Sequence, residues 1–447
     1  MSKMFRSLSG RNYRVWFIGA LISNIGAWMQ STTQNWVVLT ELTDTNAAAV
    51  GITMALQFGP QLLLVPFSGA VADRFDRRKV LLVTQTLLML LAAGLGALLL
   101  TGVAELWHLY AFALSLGIVN AFDVTTRQAF VSDLVPSTEL SNAVALNSAS
   151  FNSARLIGPA VAGVLIAAVG SGWVFVINAL SFLAVLVALL LIRTRRRIPD
   201  PVSEAPRESQ LRQLSAGFRY VSRRHDLLVT FIMIFIVGAF SMNFPVISTT
   251  MAVEFGRGAG EYGLLSSVLA IGSLAGALLS ARRPVARMRV VILSVGGLGA
   301  VSLVAAVMPT FWTFGAMLVF FGFAVSTMLT TANGFVQTTS DPAVRGRVLA
   351  LYMAILMGGT PIGAPLIGAA ADALGARSTL VISGLAALVA FAIGAIWLIT
   401  ARQLRFHRVD GWRMRVTHAG RPGLDDDPAS QTETLTASIE VLRREPE

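Results

Sequence analysis

Twelve long apolar stretches, separated by short polar segments, constrain this chain more than any other feature. A helix that crosses a bilayer needs about 20 apolar residues. Only 13% of the residues are charged, against about 25% in a typical soluble domain. The chain is therefore predicted to be an all-α membrane protein with twelve transmembrane helices, which cover residues 15–38, 47–72, 80–101, 106–131, 140–168, 173–192, 227–252, 262–281, 290–308, 311–334, 346–370 and 378–400.

The basic residues lie in alternate loops between these spans. Of the 35 lysines and arginines, 31 lie in the terminal segments and in every second loop, whereas the other loops hold only Arg257 and Arg377. Because basic loops stay in the cytoplasm, both termini are predicted to be cytoplasmic in a multi-pass protein of the plasma membrane, which we expect to be bacterial. This topology accounts for the net charge of +11, so nucleic acid is not an expected partner.

A long polar segment divides the spans into two sets of six. Gly158 and Gly163 in span 5 recur as Gly363 and Gly368 in span 11, a pattern typical of parallel six-helix repeats. The predicted order is a cytoplasmic N-terminus (1–14), a six-helix bundle (15–192), a cytoplasmic linker (193–226), a second six-helix bundle (227–400) and a disordered cytoplasmic tail (401–447).

The linker carries Leu211, Leu214, Phe218 and Val221 at helical spacing among arginines. This pattern predicts a basic amphipathic helix on the anionic inner leaflet. One interpretation is that the helix senses lipid. The other, which we favour, is that it only links the halves and that its positive charge fixes the topology.

The loop between spans 2 and 3 contains a dense charged motif. Five of its residues have fixed spacing in the run GAVADRFDRR: Gly69, Asp73, Arg74, Arg77 and Arg78. The spacing resembles the loop between helices 2 and 3 of the major facilitator superfamily, G-x-x-x-D-R-x-G-R-R, with Asp76 in place of the second glycine. That substitution is similar to the transmembrane secretion effector branch, whose exporters resemble the enterobactin exporter.

The resemblance extends over about residues 10–400 and also rests on SNIGAWMQ (23–30), NAFDVTTRQAF (120–130) and YGLL (262–265). It implies the major facilitator fold with two pseudo-symmetric halves. It also implies that Asp73 and Arg74 brace the ends of helices 2 and 11 in the outward-open state, which makes the loop a gate. Exporters of this branch move siderophores, drugs and other amphipathic metabolites outward, driven by protons.

Polar residues are concentrated on spans 1, 4, 7 and 10, the helices that line the cavity in the superfamily that the chain resembles. Each residue alone could simply bond a neighbouring helix. Together they favour an apolar cavity with scattered polar groups. The candidates for the substrate cavity are Asn24, Gln30, Gln34, Asn120, Asn243, Thr327 and Asn333.

Three charged residues lie well inside the predicted spans: Asp123 and Arg127 in span 4, and Arg155 in span 5. Asp123 and Arg127 are one helical turn apart and can form an ion pair, and the turn between spans 4 and 5 could bring Asp123 toward Arg155. One interpretation is a site that carries protons or binds a substrate ion. The alternative is a structural ion pair near the cytoplasmic edge.

Glycine and proline interrupt spans 5 and 11. The residues are Gly158, Pro159 and Gly163 in the first repeat, and Pro361 and Gly363 in the second. Gly-Pro in span 5 is similar to part of the antiporter signature of the superfamily. Such residues kink a helix and allow close packing, and they can also serve gating.

No enzyme, metal or nucleotide motif is present in the sequence. We therefore predict a secondary transporter, not an enzyme, that exports a small amphipathic molecule by proton antiport with alternating access. Alternatives are an importer or lipid flippase of the same fold, or a membrane sensor or scaffold that transports nothing. The expected partners are the substrate, protons and anionic lipids; the chain is expected to be a monomer without a cofactor.

Overall fold

The computed structural model is almost entirely helical and describes residues 3–192, 210–283, 285–402, 404–409 and 413–418. Fourteen α-helices follow one another along this part of the chain. They are α1 (Arg11–Thr40), α2 (Ala47–Arg74), α3 (Arg77–Leu100), α4 (Leu106–Leu134), α5 (Leu140–Val169), α6 (Ser171–Leu191), α7 (Gln210–Arg223), α8 (His225–Phe240), α9 (Phe244–Glu254), α10 (Ala259–Ala281), α11 (Met288–Ala306), α12 (Phe311–Thr339), α13 (Arg345–Leu374) and α14 (Arg377–Arg402).

Every predicted span falls on one of these helices or, for span 7, on a pair. Among the described residues, eleven segments are long and apolar enough to cross a membrane. The first span is the exception, although α1 has 30 residues. Its second half holds a polar run from Gln30 to Asn35 whose side chains are mostly buried. A spanning helix can be this polar where its side chains face other helices instead of lipid.

Span 7 differs from its prediction as one continuous helix. Residues 241–243 separate α8 from α9, and Pro245 lies in the first turn of α9. Proline lacks an amide hydrogen and fits best at the start of a helix, which explains the break. The Ser241 hydroxyl donates to the carbonyl of Ser383 at 3.2 Å, and the Asn243 amide donates back to the carbonyl of Ala239.

The helices form two bundles. In the first, α1 packs against α5 and α6, while α4 packs against α2 and α3. In the second, α13 packs against α8, and α12 packs against α10 and α11. The bundles meet along two helix pairs, α2 with α13 and α5 with α10, and where α9 contacts α1 and α2.

Helices that alternate in direction place their connections at two opposite ends of the molecule. We call the end that holds the α2–α3, α4–α5 and α12–α13 connections the basic end, and the opposite one the far end. A core of large side chains packs the first bundle near the basic end: Tyr13, Trp16, Leu81, Phe130 and Leu189 are all buried there. The Tyr13 hydroxyl donates to the carbonyl of Ala143 at 2.7 Å, which joins α1 to α5.

The part of the linker that the structure describes forms α7, whereas residues 193–209 lie outside the described residues. Helix α7 packs on the protein through Gly217, which approaches the backbone of Arg347, and through buried Val221. The Tyr220 hydroxyl also accepts a hydrogen bond from the Asp341 amide at 3.2 Å. Phe218 is exposed, so one face of the helix contacts α13 and another faces outward.

The tail, which the sequence predicts to be disordered, contains two paired strands among its described residues. Strands β1 (Leu404–Val409) and β2 (Arg413–His418) form an antiparallel hairpin in which Leu404 pairs with His418. Residues 419–447 lie outside the described part of the chain.

Candidate substrate cavity and its gates

At the far end, one carboxylate joins the two bundles. Asp372, in the last turns of α13, accepts hydrogen bonds from the amides of Ala47 and Ala48 at 2.7 and 2.8 Å. These amides lie in the first turn of α2 and have no partner within their own helix. The negative charge also lies at the positive end of the α2 dipole. Asp372 therefore caps a helix of the other bundle and holds the far end of the α2–α13 pair together.

The far end of the α5–α10 pair is closed by backbone contact. A Cβ atom at Gly163 would lie 2.7 Å from the carbonyl oxygen of Ala259, so only glycine fits at this approach. About two turns nearer the middle of the pair, the Ser267 hydroxyl donates to the carbonyl of Leu156 at 2.8 Å. Above this contact Trp36 of α1 stacks on Tyr262 of α10, with ring centroids 5.8 Å apart.

Toward the basic end, α2, α5 and α13 carry exposed apolar side chains. The α2–α13 pair is still close where a Cβ at Gly358 would lie 3.2 Å from Leu62. Beyond that level large apolar side chains are exposed on both helices, and the α5 side chain Phe151 is 49% exposed. The exposed side chains of the α2–α13 pair are Leu63, Phe67, Met353 and Met357. The described contacts between the bundles therefore run from the far end to about mid-span, and exposed apolar side chains lie toward the basic end.

Both pairs are in contact to a similar depth from the far end. Leu62 lies fifteen residues after the start of α2, and Leu156 lies thirteen residues before the end of α5. At 1.5 Å per residue these positions are about 20 Å from the far end. The contacts between the bundles therefore reach from the far end to about the middle of the spanning region.

A cationic and aromatic cluster lies at this depth, between α1 and α5. The guanidinium carbon of Arg155 is 5.7 Å from the centroid of the Trp28 ring, and Trp28 meets Phe151 edge to face at 5.6 Å. A Cβ at Gly158 would lie 2.5 Å from the Cβ of Trp28, so glycine brings the two helices together here. Within the described residues no hydrogen bond or ion pair reaches the Arg155 guanidinium.

Asp123 lies elsewhere and has many partners. Its carboxylate, 2% exposed, accepts hydrogen bonds from Thr84 and Gln85 of α3, both at 2.7 Å. Arg127 donates to it through Nε and Nη2 at 3.2 and 3.0 Å, and Arg127 also lies over the Trp16 ring. The structure thus gives Asp123 an ion pair with Arg127, and Arg155 contacts Trp28 instead.

The charged loop attaches to its own bundle. Asp76 caps α3 by accepting from the amides of Arg78 and Lys79 at 2.9 and 3.3 Å. Arg77 donates to both carboxylate oxygens of Asp133 at 2.9 and 3.0 Å, which ties the loop to α4. The side chain of Arg78 reaches the carbonyl of Leu190 in α6 at 3.2 Å. Gly69 lies in the last turns of α2, and Asp73 and Arg74 are exposed.

Four of the seven predicted cavity residues bond another side chain, three of them on a different helix. Asn24 donates to the Ser150 hydroxyl of α5 at 3.2 Å, and Gln34 donates to Gln57 of α2 at 3.1 Å. Gln30 is buried and accepts from Asn178 of α6. Asn333, half-buried on α12, accepts from Gln337 at 2.6 Å.

The other three have fewer contacts. Asn120 is half-buried on α4. Thr327 is 3% exposed, and its hydroxyl has no hydrogen-bond partner. It lines a groove of about 320 Å³ between α11 and α12, together with Leu293 and Phe320. The side-chain oxygen of Asn243 is also buried without a partner, at the break between α8 and α9.

The glycine and proline residues of spans 5 and 11 lie at helix contacts. Pro159, inside α5, lies against Gly263 of α10, next to the Gly163 contact. Gly363 packs against the backbone of Ala239 in α8, two residues from the interior proline Pro361. Sequence reasoning did not predict Asp372 as a cap, or Trp28 and Phe151 as the partners of Arg155. The sequence signal for the contact with Phe151 was the spacing of four residues between Phe151 and Arg155, which places both on one face of α5.

Solved transporters share this fold. The structure superposes on the inward-facing crystal structure of a bacterial homologue of the human lysosomal transporter Spinster with a TM-score of 0.70, covering 86% of this chain and 97% of that one at 16% identity. The match to the D-xylose-proton symporter has a TM-score of 0.67, with 85% and 96% coverage at 14% identity. Both likenesses concern the fold alone.

Comparison with known sequences identifies the family to which the chain belongs. The chain is 26% identical to the staphyloferrin A transporter of Staphylococcus aureus over 380 residues, which cover 84% of this chain and 93% of that protein. It is 27% identical to the enterobactin exporter EntS of Salmonella choleraesuis over 367 residues, with coverage of 80% and 85%. The model of the transmembrane secretion effector family matches residues 2–407. The chain therefore belongs to the transmembrane secretion effector family and is a multi-pass membrane transporter of the major facilitator fold, not an enzyme.

Proposed function

We propose that this transporter exports a small amphipathic organic molecule from the cytoplasm. The observation that carries the proposal is the set of bundle contacts from the far end to about mid-span. We take these contacts to close a cavity that opens at the basic end, where exposed side chains lie on α2, α5 and α13. Two relatives that match most of the chain are named for siderophores, staphyloferrin A and enterobactin. A siderophore, drug or similar metabolite is the corresponding class of cargo.

The proposed direction follows from the charge of the ends. Basic loops favour the cytoplasmic side, so the open basic end faces the cytoplasm and both termini lie there. The cavity then takes its cargo from inside the cell. Alternating access requires the far-end contacts of Asp372 and Gly163 to break, with the charged loop that contains Asp73 and Arg74 as the gate at the basic end.

The proposed energy source is a proton gradient used in antiport. The sequence has no nucleotide-binding loop of the P-loop type, which supports a gradient as the driving force. Proton antiport predicts that an imposed pH difference drives cargo into inverted vesicles and that a protonophore stops it.

The test is an accumulation screen in a bacterial strain that lacks its own exporters. We expect cells that express the protein to accumulate less of at least one compound in a panel of siderophores, dyes and drugs than cells with an empty vector. Equal accumulation of every compound, with the protein present in the membrane, would contradict export. Greater accumulation in expressing cells would support an importer instead.

A non-transporting sensor or scaffold and a lipid flippase are the remaining alternatives. Purified protein reconstituted in vesicles separates them, because a flippase moves a labelled phospholipid between leaflets and a scaffold moves neither lipid nor cargo. We expect movement of the panel compound without movement of labelled lipid.

A further inference from the structure

We infer that Arg155, Trp28 and Phe151 bind the anionic group of the cargo, so that the transported molecule is an amphipathic organic acid. The inference rests on the proposed function, since it names the class of cargo that the same cavity takes.

The position of Arg155 makes its charge costly unless it serves binding. Arg155 is fifteen residues from the start of α5 and fourteen from its end, which places it about 22 Å from one end of the helix and about 21 Å from the other. A cation at this depth is expensive, and in membrane proteins such residues face a bundle interior or a water-filled cavity and pair with a counter-charge.

Other arginines of the described chain have that counter-charge. Arg77 pairs with Asp133, Arg127 pairs with Asp123, and Arg224 pairs with Asp226. Among the described residues, Arg155 has no acidic partner and no hydrogen-bond acceptor, and its contact is the face of Trp28. Its counter-charge can therefore come from a bound anion.

The guanidinium also lies where a cargo molecule would stop. Arg155 is adjacent to Leu156, whose carbonyl makes the α5 contact to Ser267 of α10. Phe151, one turn nearer the basic end, is exposed. A molecule that enters the open end therefore meets Phe151 first and reaches Arg155 at the point where the bundles close.

The chemistry of the cluster fits an amphipathic acid. The guanidinium offers parallel N–H donors that match the two oxygens of a carboxylate. Trp28 and Phe151, in edge-to-face contact, present apolar surface to the hydrophobic part of the same molecule. The neighbouring pair of Asn24 and Ser150 adds polar groups that can bond a second oxygen.

The test uses purified full-length protein and two probes of the same shape, the anion 1-naphthoate and the neutral alcohol 1-naphthalenemethanol. We expect the wild-type protein to bind naphthoate at least tenfold more tightly than the alcohol. Arg155→Gln should weaken naphthoate binding about tenfold to a hundredfold, as expected for loss of a charged hydrogen bond. The affinity for the alcohol should stay the same. Arg155→Lys should retain part of the preference.

Two further variants control the result. Arg219→Gln removes an exposed arginine of α7 and should change neither affinity. Phe151→Leu should weaken the binding of both probes and keep the preference for the anion. This variant keeps the test decisive if Arg155→Gln does not fold. A wild-type protein without charge preference, or a folded Arg155→Gln variant that keeps it, would overturn the inference.

The accumulation screen separates this inference from the proposed function. If the exported compounds are all neutral or cationic, the function stands and the inference fails. If naphthoate binds through Arg155 but no compound of the panel is exported, the proposed function fails and the binding site stands. Export confined to acids, and lost in Arg155→Gln, supports both.

Discussion

Two charged residues lie deep in the first bundle, and their partners distinguish their roles. Asp123 accepts four hydrogen bonds from three residues of its own bundle. Arg155 has only the Trp28 face among the described residues. A carboxylate whose partners are all provided by α3 and α4 holds those helices together, whereas a cation without a counter-charge is suited to bind a ligand.

We expect Asp123→Ala to destabilise the protein strongly. The change leaves Arg127, whose side chain is 15% exposed, without its carboxylate, and breaking a buried pair in this way costs about 3 kcal/mol or more. The midpoint of thermal unfolding in detergent measures the effect. The double variant Asp123→Ala/Arg127→Leu should recover part of the loss, because it removes the isolated charge as well.

A second variant tests whether Asp123 couples transport to protons. Asp123→Asn keeps one acceptor oxygen, enough for two of the four hydrogen bonds, and we expect it to retain cargo uptake into inverted vesicles under an imposed pH difference. If this variant still exchanges cargo but loses all pH-driven uptake, Asp123 carries the coupling proton and its structural role is secondary.

At the scale of helix pairs, Gly163 controls the approach of α5 to α10. A methyl group there would meet the carbonyl of Ala259 at 2.7 Å, and backbone cannot yield as a flexible side chain can. We expect Gly163→Ala to separate the far ends of the bundles and to reduce transport while the protein remains inserted. Gly94→Ala is the matched control, since nothing lies within 4 Å of its added methyl group and alanine favours a helix. Equal transport by the two variants would argue against a tight far-end contact.

Asp372 provides the second far-end contact, and we expect its loss to favour the outward-open state. Asp372→Ala removes both hydrogen bonds to the start of α2, a cap worth about 1 kcal/mol. The protein has no cysteine, so spin labels on Asp44→Cys and Ala376→Cys report the distance across this end without interference.

The control for that experiment removes a cap that does not cross between bundles. Asn46 accepts from the amide of Ala49 within α2, and Asn46→Ala should lower stability without lengthening the distance. An unchanged distance distribution in Asp372→Ala would show that this carboxylate does not hold the far end closed.

At the scale of the whole molecule, cysteine labelling tests the orientation. Ser148→Cys lies on the exposed, basic-end part of α5, and Val103→Cys lies at the exposed far end. We expect an impermeant maleimide to label Ser148→Cys only in inverted vesicles and Val103→Cys only in intact cells. The opposite pattern would reverse the topology and with it the direction of the open cavity.

Much of this architecture is already present in the sequence, because it depends on local composition. The length of each apolar stretch predicts where the helices lie, and the placement of arginines predicts how they alternate. The repeated glycines of spans 5 and 11 mark close helix contacts. The spacing of the charged run from Gly69 to Arg78, together with the segments in spans 1, 4 and 8, carries the resemblance to the superfamily.

The contacts between distant segments of the chain were determined only by the tertiary structure. The pairing of Asp372 with Ala47 joins residues that are far apart in the chain, and the sequence offers several acids for such a role. The choice of Arg127 and α3 as partners of Asp123, and of Trp28 as the partner of Arg155, depends on helix rotation and crossing. Composition determines that a helix spans the membrane, because lipid offers no hydrogen bonds along the length of the helix. The neighbours of one side chain depend instead on how all the helices pack.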